Sequence, residues 1–160
     1  MDALLNKEPV KRAKEALNKF DQSMDIIVLN ETARTASDAS LALKCDIGAI
    51  VKSLLFKADN IFLLCLVSGD KKCSLNKLKK LTLKKDLCMA SAEDVKIQTG
   101  YTIGGVSPVG LIKNLEIYLD SSLIRFNKIF AAAGHPNCIF QTNFDQLEKI
   151  TNAKIKDFTE

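Results

Sequence analysis

The segment 50-IVKSLLFKADNIFLLCLVS-68 decides the architecture. Two runs rich in branched and apolar residues, Ile50–Phe56 and Ile61–Ser68, flank "KADN", so the stretch reads as a β-hairpin. Alternation along the first run puts Ile50, Lys52, Leu54 and Phe56 on one face, with Val51, Ser53 and Leu55 on the other. Both faces are apolar except at Lys52 and Ser53, which predicts a strand covered on both sides. A lysine is out of place there, because desolvating an ammonium is costly. Two resolutions stay open. Lys52 lies at a strand end and snorkels into water, or it opens into a pocket and meets an anion or a polarised carbonyl.

Outward from the hairpin, helices and strands are interspersed. Pro9 opens a helical pattern carrying Val10, Ala13, Leu17 and Phe20, and "DIIVL" at 25–29 reads as a short buried strand. Thr35 or Ser37 caps a helix to about Leu43, and Ser74 caps another inside the lysine-rich segment. "SAEDVKIQTG" is a helix with a Ser91–Asp94 capping pair and Gly100 at its C-terminal turn. Further strands are read at Leu115–Leu119 and Lys128–Ala133, with "GHPN" turning into "CIFQT". Thr142 and Asp145 cap a helix to about Ile150, and "AKIKDF" closes as a strand. The expected fold is α+β: a compact, mixed, mainly antiparallel sheet curled into a barrel-like core with flanking helices.

The 160 residues, 47% hydrophobic and 26% charged, make one domain over 1–160. The apolar run Ile61–Val67 falls far short of the roughly 20 residues that span a bilayer. Charge is scattered through the first 20 residues, so no signal-peptide core is read there, and a cytoplasmic location is expected. The five cysteines (Cys45, Cys65, Cys73, Cys88 and Cys138) include no C-x-x-C pair, and His135 is the single histidine. No metal site and no cofactor are expected.

The net charge is only +4, yet Lys71–Lys85 alone holds seven lysines and no acid, so the remainder of the chain is net negative. A compact cationic face suits a phosphate backbone, and a solvated helix is the plain alternative. Lys71, Lys72, Lys77, Lys79 and Lys80 are the candidate phosphate contacts.

Thr99–Leu111, "TGYTIGGVSPVGL", concentrates four of the chain's seven glycines. Gly104 and Gly105 let backbone N–H groups approach a ligand, as in an oxyanion hole, while Pro108 stiffens the loop and biases Ser107 toward extended geometry. Neither a dinucleotide fingerprint nor a P-loop is present. Gly134-His135-Pro136-Asn137 suits a hairpin turn, and His135 there could touch a ribose or relay a proton. Ser107, Ser53 and Thr35 are candidate hydroxyl contacts, and no base partner for a serine nucleophile is visible.

Together, "RTASDASLALKCDIGAIVKSLLF", "GYTIGGVSPVGL" and "AAAGHPNCIF" followed by a capped helix resemble the YbaK/EbsC proteins and the similar editing insertion of bacterial prolyl-tRNA synthetases. The likeness runs in order from about Val10 to Ile155. It implies a freestanding aminoacyl-tRNA deacylase that hydrolyses mischarged tRNA carrying a small amino acid such as Ala, Cys, Ser or Thr. Lys52 then corresponds to the family's essential lysine, Gly104 and Gly105 to the loop lining the aminoacyl pocket, and Gly134 to the glycine of the late turn. Ser53 and His135 fall where family members vary. The implied partners are the acceptor end of tRNA and a synthetase, with no DNA and no membrane. A non-catalytic tRNA-binding module and a small-ester hydrolase are the competing readings.

Overall fold

The computed structural model describes residues 2–31 and 33–160. In chain order the elements are α1 (Asp2–Leu5), α2 (Glu8–Phe20), β1 (Ile27–Val28), α3 (Ala36–Leu43), β2 (Val51–Ala58), β3 (Ile61–Ser68), α4 (Leu75–Thr82) and β4 (Leu87–Met89). They continue with α5 (Ala92–Thr99), β5 (Glu116–Asp120), β6 (Ile129–His135), β7 (Cys138–Thr142), α6 (Phe144–Thr151) and β8 (Lys154–Lys156). Two 3-10 turns, Ile47–Ala49 and Ser121–Arg125, complete the set.

The hairpin forms as its pattern dictates. β2 and β3 pair antiparallel over their full length, from Val51 opposite Ser68 to Ala58 opposite Ile61. A two-residue turn joins them, with Asp59 at a positive φ that aspartate tolerates. A five-stranded mixed sheet grows from this pair in the order β4-β2-β3-β5-β8, with β5 and β8 added in parallel. A three-stranded antiparallel sheet, β1-β7-β6, stands beside it. The α+β class and the predominance of antiparallel pairing match the sequence reading.

Barrel closure does not occur. Among the described residues the sheets are joined by one isolated parallel bridge, Ile50 to Phe130. The physical reason lies in β4, which pairs with Phe56–Ala58, followed by one bond from the Ala90 N–H to the Leu55 carbonyl, and leaves the Val51–Leu54 edge of β2 without a ladder partner. β1 also differs from expectation. It covers only Ile27 and Val28 and forms a partly exposed edge rather than a buried strand.

The large sheet is covered on both faces, as the two apolar faces of β2 require. Val51 and Leu55 join Leu64, Leu66, Leu119, Ile129 and Phe140 in the main core, which α2 closes with Val10, Ala13 and Leu17. Phe56, Cys65, Val67, Leu78, Tyr118 and Phe158 build a second core beneath α4. Caps fix most helix starts. Thr35, Ser74 and Ser91 each accept the N–H three residues on. For α6 that acceptor is Asn143, bonded to the Gln146 N–H, rather than Thr142. All five cysteines are unpaired thiols. No described helix is long and apolar enough to cross a membrane.

Candidate functional site

A cleft of about 320 Å³ lies where the two sheets part, against the unpaired edge of β2. Because that edge is free, consecutive residues from Ile50 to Leu55 line it regardless of which face their side chains take. Ala36 and Ala39 of α3, Val95 of α5, Phe130 and Ala132 of β6, and Val106 complete a mostly apolar wall. Arg34, Thr35, Lys52 and Ser53 are the polar residues of its lining, which also includes Gly104.

Lys52 resolves its anomaly in a third way. The side chain is half-buried on the cleft wall, and its ammonium donates to the Lys71 carbonyl at 2.6 Å. No carboxylate pairs with it among the described residues. One hydrogen bond leaves two ammonium protons for a ligand. Ser53, on the opposite face of β2, carries a buried hydroxyl with no partner among the described residues. Since buried hydroxyls are normally satisfied, that oxygen is a natural ligand contact.

A second, more polar recess adjoins the cleft. Arg34 and Thr35 border both cavities, and Asp38, Thr102, His135 and Asn137 line the recess. The Thr35 hydroxyl is engaged as the cap of α3. His135 accepts the Asn137 N–H on Nδ1 at 3.0 Å, so the neutral ring carries its proton on Nε2. Burial first, then the charges of Lys7 and Arg34, hold its pKa below the usual histidine value. The imidazole is therefore neutral at pH 7 and offers Nε2–H as a donor.

The glycine loop divides its work. Gly104 sits in the left-handed region at φ +96°, and a Cβ there would stand 2.9 Å from Arg34 Cγ. Its N–H has no partner among the described residues. The Gly105 N–H, in contrast, donates to the Thr102 carbonyl at 3.0 Å. That corrects the expectation of two free donors. Gly105 is glycine because a Cβ would meet the main chain of Gly134 and His135 at 2.9–3.0 Å. Gly134, at φ +92°, likewise makes room for the Pro9 backbone. Ser107 is fully buried, its hydroxyl accepting the Val109 N–H, and Pro108 lines a separate recess behind the loop. Ser107, Pro108, Gly105 and Gly134 shape the loop and lie outside the cleft lining.

The lysine-rich segment borders the site at its start and end. Lys71 supplies the carbonyl that holds Lys52, and β4, packed beside α4, brings Met89 to the cleft. Lys72 and Lys80 are exposed and Lys79 is half-buried. Lys77 is engaged, donating to the Thr159 carbonyl at 2.8 Å and pairing with Asp157 at 3.3 Å. Arg34 escaped the sequence reading. Its one local signal was a basic residue immediately before the cap of α3.

No group of three or more potential metal ligands occurs among the described residues. In this α+β domain a largely apolar cleft with Lys52 in its lining adjoins a more polar recess. A model of the aminoacyl-tRNA editing domain matches residues 30–150, and the chain belongs to that family. The protein YwhH of Bacillus subtilis (strain 168), itself uncharacterized, is 29% identical over 91% of this chain and 93% of its own length. A proline–tRNA ligase of Caldicellulosiruptor bescii is 31% identical over 94% of this chain, which spans 23% of that enzyme. A crystal structure described as a candidate trans-editing enzyme for prolyl tRNA synthetase superposes with a TM-score of 0.90. It is 34% identical, over 96% of this chain and 98% of that one.

Proposed function

We propose that the 160-residue chain works as one domain, a deacylase acting in trans that hydrolyses the ester between a mischarged amino acid and the 3′ end of tRNA. The observation that carries this reading is the meeting of Lys52, Ser53 and Gly104 in one largely apolar cleft next to a polar recess. The family membership and the near full-length likeness to a candidate trans-editing enzyme support it.

In this reading the aminoacyl group enters the cleft and the terminal nucleotide occupies the recess. Arg34 faces a phosphate and His135 Nε2–H donates to the ribose. Lys52 grips the 3′ end, and the Gly104 N–H stabilises charge developing on the carbonyl oxygen. The reaction asks little more. Water adds to the ester carbon, assisted by the neighbouring ribose hydroxyl. The carbon–oxygen bond to the ribose then breaks, and the departing ribose oxygen takes a proton, leaving free amino acid and tRNA. An aminoacyl ester is already labile, so positioning and charge stabilisation suffice. The cleft suits a small amino acid, and Lys72, Lys79 and Lys80 face the acceptor stem.

The test is a panel of tRNAs mischarged with alanine, cysteine, serine and threonine. Lys52→Ala, folded by circular dichroism, is expected to lose about a hundredfold or more in turnover of the best substrate. Unchanged turnover would remove Lys52 from the chemistry. Binding without release of any amino acid, by the wild type, would instead identify a tRNA-holding module.

A further inference from the structure

We infer that the Asp70–Arg125 pair, which lies outside the cleft lining, positions Lys52 through the Ser68–Lys71 turn; only the kinetic consequence of this rests on the deacylase reading. The Lys71 carbonyl is the single anchor of the Lys52 ammonium among the described residues. It belongs to a tight turn closed by the Lys71 N–H on the Ser68 carbonyl at 3.0 Å. A flexible four-carbon stem holds its ammonium only as well as that carbonyl is held.

The turn is gripped from two sides. Arg125 reaches both Asp70 carboxylate oxygens, Nη2 to Oδ1 at 2.9 Å and Nη1 to Oδ2 at 3.1 Å. Nη2 also donates to the Ser68 hydroxyl at 2.9 Å, and Nε ties the guanidinium to the Ser122 carbonyl at 2.7 Å. On the other side, the fully buried Ser68 sets its hydroxyl 2.5 Å from the Gly48 carbonyl and gives its N–H to Asp120. Gly69 seats the turn without a side chain: a Cβ there would stand 2.2 Å from the Ile47 carbonyl oxygen.

A purely structural role explains this poorly. The paired side chains remain 40% and 34% exposed, and ion pairs that open to water add little stability. Their geometry is nevertheless specific to arginine, since one planar fork serves Asp70, Ser68 and Ser122 together. What that fork fixes is the position of a carbonyl, and what the carbonyl holds is Lys52.

The experiment pairs side-chain NMR with kinetics on the full chain. The lysine Nζ spectrum, with the Lys52 signal assigned through Lys52→Ala, is recorded for wild type, Arg125→Ala, Asp70→Ala and the double variant. The protected Lys52 Nζ signal is expected to vanish in all three variants while melting temperatures stay within a few degrees. Turnover per unit substrate falls roughly ten- to a hundredfold, the double variant no worse than either single, and Arg125→Lys recovers only part. A Lys52 signal that survives in Arg125→Ala overturns the proposal, as do losses that multiply in the double variant. If the wild type itself releases no amino acid, the deacylase reading falls; if Lys52→Ala keeps full turnover, Lys52 leaves the chemistry; in both cases the NMR arm still decides the clasp.

Discussion

Twenty lysines share this chain with three arginines, and Arg12 and Arg125 each hold something a lysine could not. Arg12 donates to the carbonyls of Gly110 and Gly100 at 2.7 and 2.9 Å and stacks on Tyr101, pinning the glycine loop at two points. Arg34 lies over Gly104 at the mouth of the cleft, and Arg125 grips the turn behind Lys52. Gly104 is where residue-level geometry is least forgiving. In Gly104→Ala the new methyl meets the Arg34 stem, and an L-residue is forced to φ +96°. A loss of about 1–3 kcal/mol is expected from urea midpoints, with the cleft mouth narrowed in the same variant. The sequence showed that these glycines matter. It could not show why, because the atoms that crowd Gly105 and Gly134 belong to His135 and Pro9, far along the chain.

Among the elements, α4 carries the clearest prediction. The run of free charges starts at Lys72, just ahead of the helix, and continues with the half-buried Lys79 and the exposed Lys80 on it, while Lys77 is tied to the C-terminal segment. Neutralising Lys72, Lys79 and Lys80 to glutamine should weaken tRNA binding and flatten its salt dependence by about 2–3 in log–log slope. The same change at Lys77 should act mainly on stability. An unchanged slope in the triple variant would leave α4 as ordinary solvated surface. Elements whose signals are local were legible: the β2–β3 hairpin from alternation around a two-residue turn, and three helix starts from caps three residues deep. Asn143 displaced Thr142 as the cap of α6 by a single position, which alternatives so close in sequence cannot distinguish. β4 and the Ser121–Arg125 turn left no periodic trace, since three residues or a 3-10 turn are too short to show one.

At the scale of the whole molecule, one missing ladder makes the site. The sequence supplied a strand apolar on both faces and a lysine within it. That β4 would stop at Met89, opening the Val51–Leu54 edge to the cleft, depends on tertiary pairing. Acid stability should report the clasp that spans both 3-10 turns. Hydrogen bonds from Arg125, aided by Ser68 and the nearby charge of Lys71, hold the Asp70 pKa at about 2, well below the ordinary aspartate value. A depressed folded pKa gives stability that is complete above the unfolded value and disappears as pH falls through the folded one. The stability difference between wild type and Arg125→Ala, small because the pair is open to water, should therefore be constant from pH 7 to about 5 and shrink toward zero near 2. Denaturant midpoints across that range measure it, and a difference independent of pH would mean the pair is not formed in solution.

Phe158 has a consequence of a different kind. Its ring is fully buried with Cys65, Val67 and Leu78, so a wall of the second core comes from more than 80 residues downstream of β3. During synthesis on the ribosome, the hairpin and the lysine helix emerge long before the ring that seals them. Until that ring arrives, the nascent hairpin bears a greasy flank bare to water or to a chaperone, and the underside of the Lys52 strand stays unsealed.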